Sequence, residues 1–287
     1  MRVSVIIPTY FRRKDLAELL ECILLQTFKP YEVIIVDDTP NDEIENLYKE
    51  YKAVFNELGI NLVYVRNPRE RSAAVARNVG AEKAYGDIFL FLDSDVILFN
   101  DYIENLVRVF KEKPYALGVQ GYIVNINVRK DRLGFLRELF NSIFHSYYRY
   151  PKDRCRLFEY PSSLTAVIEC EWLSGANSAY KREVFDHFKF DENLKGYSYM
   201  EDVLLSHTIF RKYPGTLFIT PYARCIHKSS PKDYEVDVGL EKHKNKCRKY
   251  VLRKLFGYKG VLLYYWQNIG IIILKFLRFI KSVFFLR

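Results

Sequence analysis

The sequence predicts an α/β fold in which helices cover both faces of a mostly parallel β-sheet. The first third of the chain alternates short, nearly all-apolar segments with segments of helical periodicity. Polar residues follow the apolar segments at their carboxyl ends, and that edge of a parallel sheet is where α/β proteins bind ligands. The sequence therefore predicts a ligand site along one edge of the sheet.

The elements of this sheet can be assigned in order from residue 3 to residue 92. Strands are predicted at 3–7, 32–36, 61–65 and 88–92, and helices at 15–26, 41–57 and 72–84. The polar residues at the strand ends are Thr9 and Tyr10, Asp37 and Asp38, and Asp93 and Asp95. Because the carboxyl ends of parallel strands meet at one edge, we expect these side chains to share a cleft.

The second half of the chain has a different pattern. An apolar stripe of helical spacing accompanied by arginines runs through 133–147, and an extended loop is expected at 148–161. Strand patterns return at 166–173 and 216–226, with helices expected at 183–188 and 199–212.

Composition excludes several classes of protein. The chain has 287 residues, of which 49% are hydrophobic and 28% charged, so it is neither disordered, nor collagen-like, nor a disulfide miniprotein. Its five cysteines form no Cys-x-x-Cys pair, which favours a reducing compartment without a zinc site. The chain contains no Gly-x-Gly-x-x-Gly fingerprint and no P-loop, and its N-terminus has no secretory-signal pattern.

The net charge of +9 is concentrated at the C-terminus. Residues 242–287 hold 12 of the 44 Lys and Arg residues and no acidic residue, which leaves 32 basic against 35 acidic residues before them. This asymmetry predicts that the tail meets an anionic surface. A membrane surface is the expected partner, and no nucleic-acid partner is expected.

The tail carries the signal for that surface. Its uncharged run, 260–274, is shorter than the roughly 18–20 residues that a spanning helix needs. Lys275, Arg278 and Lys281 then alternate with aromatic and aliphatic residues, a pattern typical of a helix in the headgroup region. We predict a protein that is cytoplasmic and peripheral on the inner face of the cell membrane. The alternatives are a helix docked on its own domain and a homodimer contact.

Asp93-Ser94-Asp95 is the strongest chemical signal. Residues i and i+2 of an extended backbone point the same way, so the two carboxylates can face one cation at the end of the strand 88–92. Hard oxygen ligands suit Mg²⁺ or Mn²⁺, and such ions complete their shells with substrate phosphates. The alternative is a solvated turn or a helix cap.

Several segments, in order, resemble the inverting family 2 glycosyltransferases of the GT-A fold. They are SVIIPTY from Ser4 to Tyr10, VDD from Val36 to Asp38, ARNVGAEKAYGDIFLFLDSD from Ala76 to Asp95, LSGANSAYKREVF from Leu173 to Phe185, FDENLKGYSYMED from Phe190 to Asp202, and ARCIHKSS around His227. The match covers roughly residues 1–230, and this colinearity is more specific than any one motif. The resemblance implies a Rossmann-like fold and a nucleotide-sugar donor.

For the donor site, the resemblance implies nucleotide contacts and metal ligands. The nucleotide-binding residues would be Pro8, Thr9, Tyr10, Asp38, Arg77, Asp93 and Ser94. Asp38 would accept a hydrogen bond from the base, and Arg77 would touch the nucleotide or brace Asp38. Asp93 and Asp95 would hold Mn²⁺ or Mg²⁺, with His227 as a third ligand or a diphosphate contact. The alternatives are a turn at the aspartate pair, a structural ion pair for Arg77 and a structural role for His227.

For the acceptor side, the resemblance implies a carboxylate base. Asp202 would remove the proton of the acceptor hydroxyl, and Glu201 would lie beside it and hold the acceptor. The alternative is an acidic first turn of the following helix, favoured by the helix dipole. Gly175, Ala176 and Asn177 would let the backbone approach the donor or acceptor sugar.

Together these assignments predict a metal-dependent inverting glycosyltransferase. It would move one sugar from a UDP- or GDP-sugar to a hydroxyl of a lipid-linked polyprenyl saccharide, and the missing Gln-x-x-Arg-Trp signature favours single-sugar transfer. The alternatives are a polyprenyl-phosphate glycosyltransferase of the dolichyl-phosphate sugar synthase type and an inactive membrane-surface module. The expected organisation is a nucleotide-sugar half (1–122), an acceptor half of the same catalytic domain (123–232) and a membrane-associating helical extension (233–287).

Overall fold

The computed structural model describes residues 1–126, 140, 143–144, 154–157, 160–161, 163–228 and 238–284. The strands are β1 (Val3–Thr9), β2 (Glu32–Asp37), β3 (Asn61–Arg66), β4 (Ile88–Leu92), β5 (Val96–Leu98), β6 (Gly118–Ile123), β7 (Arg154–Cys155), β8 (Ile168–Cys170), β9 (Asn177–Lys181) and β10 (Leu217–His227). The helices are α1 (Arg13–Leu24), α2 (Glu43–Glu57), α3 (Ala73–Lys83), α4 (Tyr102–Glu112), α5 (Glu201–Lys212), α6 (Val238–Phe256) and α7 (Tyr258–Phe284).

These ten strands form one sheet in the order β3-β2-β1-β4-β9-β6-β10-β8-β7, with β5 paired to β10 outside this path. The four strands from β3 to β4 are all parallel. Strand β9 runs antiparallel to both β4 and β6, and it joins the two halves of the sheet. The prediction of a mostly parallel α/β sheet is confirmed, with β5, β7, β8 and β9 running opposite to the other strands.

Helices cover both faces of the parallel half. Every residue of β2 and of β4 is buried, and successive residues of a strand face opposite sides of the sheet, so both faces must be covered. Helix α3 packs against β1 and β2, and α4 packs against β6 and β10. The buried faces form one continuous hydrophobic core around the sheet.

The predicted elements of residues 3–92 are confirmed, with ends that shift by about two residues. The predicted strand 166–173 is shorter in the structure, and the helix predicted at 183–188 is a 3-10 helix at Arg182–Asp186. Strands β5, β6 and β9 and helix α4 were missed. Strand β9 starts with polar residues, so the sequence lacks the apolar pattern of a buried strand there. In the structure these residues are satisfied by neighbouring strands, since the Asn177 side chain donates to the Gly121 carbonyl.

Two predictions fall largely outside the described residues, namely the helix at 133–147 and the loop at 148–161. Within them, residues 140, 143 and 144 are helical, and β7 pairs with β8. The ring of Phe144 stacks on Trp266 of α7 with ring centroids 5.2 Å apart, and the Trp266 indole donates a hydrogen bond to the Ile143 carbonyl. One side of α7 therefore packs on the protein.

Helix α6 joins helix α5 through a second hydrophobic cluster. Cys247, Val251 and Leu255 of α6 pack against residues at the start of α5, among them Met200 and Val203. Helix α5 begins at Glu201 and Asp202. The first helix of the extension is therefore part of the wall behind the acidic pair.

Helix α7 is longer than the uncharged run within it. Its segment Tyr258–Leu277 has 20 residues and a mean hydropathy of 1.4, so by length and composition it could cross a membrane. The uncharged run 260–274 is too short to span, but the helix that contains it is not. Exposed apolar side chains mark one stripe of this helix, at Tyr258, Leu262, Tyr265, Ile269, Ile272 and Phe276.

Gly80 allows α3 to approach β1 closely. A methyl group at this position would overlap Cγ2 of Ile6 and would lie 3.3 Å from Cγ2 of Val36. We predict that Gly80→Ala lowers the free energy of unfolding by about 1–3 kcal/mol, because overpacking outweighs the higher helix propensity of alanine.

A double-mutant cycle with Ile6→Ala tests this contact, since Ile6→Ala removes the overlapping methyl group. In urea unfolding, Gly80→Ala should cost at least 1 kcal/mol less in the Ile6→Ala background (a coupling of roughly the size expected for residues in contact). Equal costs in the two backgrounds would contradict the close approach.

Candidate active site

Three strand ends bring Asp93, Asp95 and His227 together. Asp93 follows β4, Asp95 precedes β5, and the antiparallel pairing of β5 with β10 sets His227 opposite Val96. One ligand atom from each of the three side chains lies within 4.8 Å of the others. Two hydrogen bonds between the His227 backbone and the Asn125 side chain hold the end of β10 in place.

An extended backbone is not what brings these side chains together. Residues 93–95 form a turn, closed by a hydrogen bond from the Val96 amide to the Asp93 carbonyl, and not an extended backbone. The side chains converge because β5 turns back against β10, which brings the imidazole of His227 to the carboxylates. His227 Nε2 lies 3.3 Å from Asp95 Oδ1 and 3.9 Å from Asp93 Oδ2.

The electrostatics of this cluster favour a cation. Burial lowers the pKa of His227, but the hydrogen bond to Asp95 and the charges of Asp93 and Asp95 outweigh it, so the pKa is raised. The other Asp95 oxygen pairs with Arg12 at 2.7 Å. The side chain of Asp93 is 33% exposed and that of Asp95 only 7% exposed. Two carboxylates and an imidazole are a donor set that fits Mn²⁺ or Mg²⁺.

Arg77 links the Asp93 end of this cluster to the acidic pair. Its guanidinium pairs with Asp93 Oδ1 at 2.6 Å and with Glu201 Oε1 at 2.5 Å, and it also donates to the Gly175 carbonyl at 3.3 Å. The side chain is only 4% exposed, so it offers a nucleotide almost no surface. Arg77 does not brace Asp38, because its carboxylate partners are Asp93 and Glu201. The alternative prediction, a structural ion pair, describes Arg77 better.

Asp202 is held by two backbone amides. The Gly175 amide donates to Oδ2 at 2.7 Å, and the Val203 amide donates to Oδ1 at 2.8 Å. Burial raises the pKa of Asp202, against the effect of these two hydrogen bonds. Burial also raises the pKa of Glu201, opposed by the charge of Arg77. Glu201 is buried and paired, so its carboxylate braces Arg77.

Residues 175–177, which were expected to approach the sugar, hold other parts of the site in place. A Cβ atom at Gly175 would lie 3.1 Å from Cβ of Asp202 and 3.3 Å from Oε1 of Glu201, so glycine lets the acidic pair come close. The Ala176 carbonyl accepts the amide of Asp93. The side chain of Asn177 is fully buried and donates to the Gly121 carbonyl, so an approach to a sugar at this position would be made by the backbone.

Asp38 lies at the end of the neighbouring strand, β2. Asn67, which follows β3, donates a 2.6 Å hydrogen bond to its Oδ1. Burial is the main cause that raises the pKa of Asp38 to about 6. Asp37, by contrast, is fully buried and accepts hydrogen bonds from the Tyr64 hydroxyl and the Thr39 amide, so it is a structural residue.

The other residues predicted to bind the nucleotide line the same edge. The Thr9 carbonyl accepts the Asp38 amide, and the buried Thr9 hydroxyl has no hydrogen-bond partner among the described residues. The guanidinium of Arg71 lies 4.5 Å from the centre of the Tyr10 ring. Pro8 is half-buried, and Ser94 is buried in the turn between the two metal-site aspartates.

Sequence analysis missed three residues of this site: Arg12, Asn67 and Arg71. Arg12 lies just after β1, Asn67 just after β3 and Arg71 just before α3, so each follows or precedes a predicted element at the ligand edge. A polar residue beside the end of a predicted element was the signal in the sequence that could have identified them. Their partners, which are Asp95, Asp38 and Tyr10, come from other strands and are not visible in the sequence.

The sheet order and the carboxylates at its ligand edge are those expected of the GT-A fold. The chain belongs to glycosyl transferase family 2, because the model of that family, "Glycosyl transferase family 2", matches residues 4–188. The family resemblance of the sequence motifs is thereby confirmed.

Three known proteins illustrate the relationship. "Glycosyltransferase GlyA" of Streptococcus pneumoniae is 26% identical over 231 residues, which are 80% of this chain and 31% of that protein. A glucosyl-dolichyl phosphate glucuronosyltransferase of Haloferax volcanii is 31% identical over 126 residues, which are 43% of this chain and 39% of that protein. The chain spans about a third of the length of the first curated relatives it matches.

Among solved structures, the mannosyltransferase PcManGT from Pyrobaculum calidifontis, in complex with GDP-Man and Mn²⁺, has a TM-score of 0.60 to this chain. The sequence identity is 17%, and the alignment covers 94% of this chain and 73% of that chain. At this identity the likeness shows the fold.

We predict that Arg77→Met lowers the free energy of unfolding by about 3–5 kcal/mol, because it leaves the carboxylates of Asp93 and Glu201 near each other without their cation. Arg69→Met is the matched control. Arg69 also pairs with two carboxylates, those of Glu82 and Glu192, but its side chain is 40% exposed, so its loss should cost less than about 1 kcal/mol. Similar urea midpoints for the two variants would contradict the role of Arg77.

We predict that Asp38→Asn stabilises the protein at pH 8. Because the folded pKa lies above the ordinary value, the protonated group favours the folded state below about pH 4, and this contribution is lost as the pH rises through 6. The neutral amide avoids that loss, so we expect a gain of about 1 kcal/mol at pH 8, allowing for partial exposure, and little gain at pH 4. Urea unfolding at both pH values measures it, and an equal effect at each would count against the buried carboxylate.

Proposed function

We propose that this protein is a metal-dependent inverting glycosyltransferase that moves one sugar from a UDP- or GDP-sugar to a hydroxyl group of a lipid-linked saccharide. The observation that carries the proposal is the connection of the Asp93–Asp95–His227 cluster, through the buried Arg77, to Glu201, the residue next to Asp202. With the cluster as a cation site and Asp202 as a carboxylate base, Arg77 would lie between the two. The two groups are those that inverting transfer from a diphosphate leaving group requires.

The donor would lie along the edge formed by β1, β2 and β4. Asp38 would accept a hydrogen bond from the base, and the backbone of Pro8 and Thr9 and the ring of Tyr10 would contact the nucleoside. Asp93, Asp95 and His227 would hold Mn²⁺ or Mg²⁺. When bound, such an ion neutralises charge that develops on the departing diphosphate.

Asp202 would act as the base. Its carboxylate is oriented by the Gly175 and Val203 amides, and burial raises its pKa, which increases its affinity for a proton. As the acceptor oxygen forms its bond to the anomeric carbon, Asp202 takes the hydroxyl proton, and the bond from that carbon to the nucleoside diphosphate breaks. Glu201 would keep Arg77 in place during this step.

We predict that Asp202→Asn retains binding of the donor but lowers transfer by about 10²–10⁴-fold, since the amide cannot accept the proton. Donor binding is measured as a Mn²⁺-dependent thermal shift with UDP-, GDP- and dTDP-sugars, and transfer by release of the nucleoside diphosphate. Asp186→Asn, an exposed acid far from the cluster in the sequence, is the control and should leave both readouts unchanged. Unchanged turnover in Asp202→Asn would require another base.

The lipid-linked nature of the acceptor has two supports. One relative is named as a glucosyl-dolichyl phosphate glucuronosyltransferase. The other support is the exposed apolar stripe of α7 next to a basic tail. A phosphate acceptor is already an anion and needs no base, so the orientation of Asp202 favours a hydroxyl acceptor over a polyprenyl phosphate.

The membrane contact would be peripheral, on the cytosolic leaflet. One side of α7 packs on residues 143–144, and a hydrogen bond from Arg248 to Asn268 joins α6 to α7, so the helix lies along the protein and presents its stripe outward. The positive charge of the sequence from Lys275 onward would favour anionic headgroups.

We predict that Ile272→Ser with Phe276→Ser lowers binding to anionic phosphatidylglycerol vesicles at least tenfold, because burial of each side chain contributes on the order of 1 kcal/mol or more. Tyr85→Ser with Tyr115→Ser, which removes two similarly exposed apolar side chains from the catalytic region, is the matched control and should bind like the wild type. Protein that resists alkaline carbonate extraction would indicate a spanning helix, and a dimer in light scattering that only the α7 variant abolishes would indicate a subunit contact.

A further inference from the structure

The segment before the acidic pair has an unusual backbone. Gly196, Ser198 and Met200 all have positive φ angles, of 57°, 49° and 70°, and two of these three residues are not glycine. Left-handed conformations of such residues cost free energy and persist where surrounding contacts enforce them, often at functional sites. Tyr197 and Tyr199 alternate with these residues and lead directly to Glu201 and Asp202.

The contacts that enforce this backbone come from the start of α3. The hydroxyl groups of Ser72 and Ser198 share a hydrogen bond of 2.6 Å, and both lie within hydrogen-bonding distance of the Leu194 carbonyl. The Gly196 amide donates to the Arg71 carbonyl at 3.2 Å. Since Ser72 and Ser198 are fully buried, Tyr197 is presented from a rigid support.

Tyr197 lies beside the catalytic acids but is not buried among them. Burial of its hydroxyl end, followed by the charges of Asp93, Glu201 and Asp202, raises its pKa, although 41% of the residue is exposed. Tyr197 precedes Glu201 by four residues in the chain, and part of its surface is accessible. The Tyr199 ring lies nearly parallel to it, at 14° and 6.3 Å between centroids.

A lysine of the C-terminal extension reaches the same ring. The ammonium of Lys244 on α6 lies 5.5 Å from the centre of the Tyr197 ring. Lys244 is one helical turn before Cys247, which is buried against the α5 start and interacts with the Tyr199 backbone. The carboxylate nearest to Lys244 among the described ion pairs is the exposed Glu241, at 3.7 Å, so the ammonium is only weakly neutralised.

We propose that Tyr197 and Lys244 form the acceptor subsite and that it takes a sugar ring bearing a phosphate group. The apolar C–H face of the sugar would lie on the Tyr197 ring, and the phosphate would make a charge-assisted contact with the Lys244 ammonium. The inference rests on the proposed function, and it adds a substrate class and two residues to it. The C-terminal extension would then complete the active site as well as contact the membrane.

The order in which these groups follow one another supports this class of acceptor. The path runs from the Asp202 region to the Tyr197 ring, then to Lys244 on α6, and on to α7 with its exposed apolar stripe. A lipid-linked saccharide presents its groups in the same order, as hydroxyl, sugar ring, phosphate and lipid chain. A neutral glycolipid or a free saccharide lacks the group that Lys244 would bind.

The test uses the full chain and two matched sets of probes. These are octyl β-glycosides and octyl glycosyl phosphates of glucose, galactose, mannose and N-acetylglucosamine, measured by equilibrium binding in the presence of Mn²⁺ and nucleoside diphosphate. In the wild type, at least one phosphate-bearing probe should bind tenfold or more tightly than its neutral counterpart. Lys244→Ala should abolish this difference and leave the neutral probe unchanged, whereas Lys242→Ala, an exposed lysine of the same helix, should change neither.

Tyr197 is tested separately from the charge. Tyr197→Ala should weaken both kinds of probe about tenfold, and Tyr197→Phe, which keeps the ring and guards against a folding defect, should retain binding. Equal effects of Lys244→Ala and Lys242→Ala, unchanged binding in Tyr197→Ala, or a panel in which no probe binds would overturn the subsite. A Mn²⁺-dependent thermal shift with the donor, measured on the same preparations, separates the two proposals. Where the probe results contradict the subsite, a donor that stabilises every variant shows that only the subsite fails. A donor that stabilises none of them shows that the proposed function fails.

Discussion

The buried ion pairs of Arg77 are the interaction on which this site depends. A guanidinium that is almost fully removed from water must be paired, and here its partners are Asp93 from the end of β4 and Glu201 from the start of α5. The end of β4 is therefore held to the start of α5, beside the cluster of Asp93, Asp95 and His227. Gly80, three residues after Arg77, fixes the distance of α3 from β1 and so the depth of the guanidinium.

Strand β9 contributes a second constraint from the backbone. Its antiparallel pairing with β4 sets Asn177 opposite Leu92, so that the Ala176 carbonyl receives the Asp93 amide and the Gly175 amide reaches Asp202. One short loop thus orients a metal-side aspartate and the candidate base together. The Asp202 carboxylate is held by the main-chain amides of Gly175 and Val203, whereas the Asp93 carboxylate is held by the side chain of Arg77.

The sequence predicted the elements well where they are buried on both faces. The strands up to β4 are nearly all-apolar, and the aspartates predicted to lie at the carboxyl ends of β2 and β4 do lie there. It failed for β9 and β6, whose buried Asn177, Ser178 and Gln120 look like loop residues until a partner strand satisfies them. It also missed α4, although Ile103, Leu106, Val107 and Phe110 carried a helical pattern. The Arg77 assignment failed because its partners lie 16 and 124 residues away along the chain.

By itself, the sequence determined the α/β class, the family, the ligand edge of the sheet and the basic, apolar character of the tail. These follow from local periodicity, from the order of motifs and from composition, all of which are properties of neighbouring residues. Tertiary structure decided which side chains meet: His227 with Asp95 across the β5–β10 pairing, Arg77 with Glu201, and Lys244 with Tyr197. Such pairings depend on strand order and helix packing, which join residues far apart in the chain, and so no local pattern could reveal them.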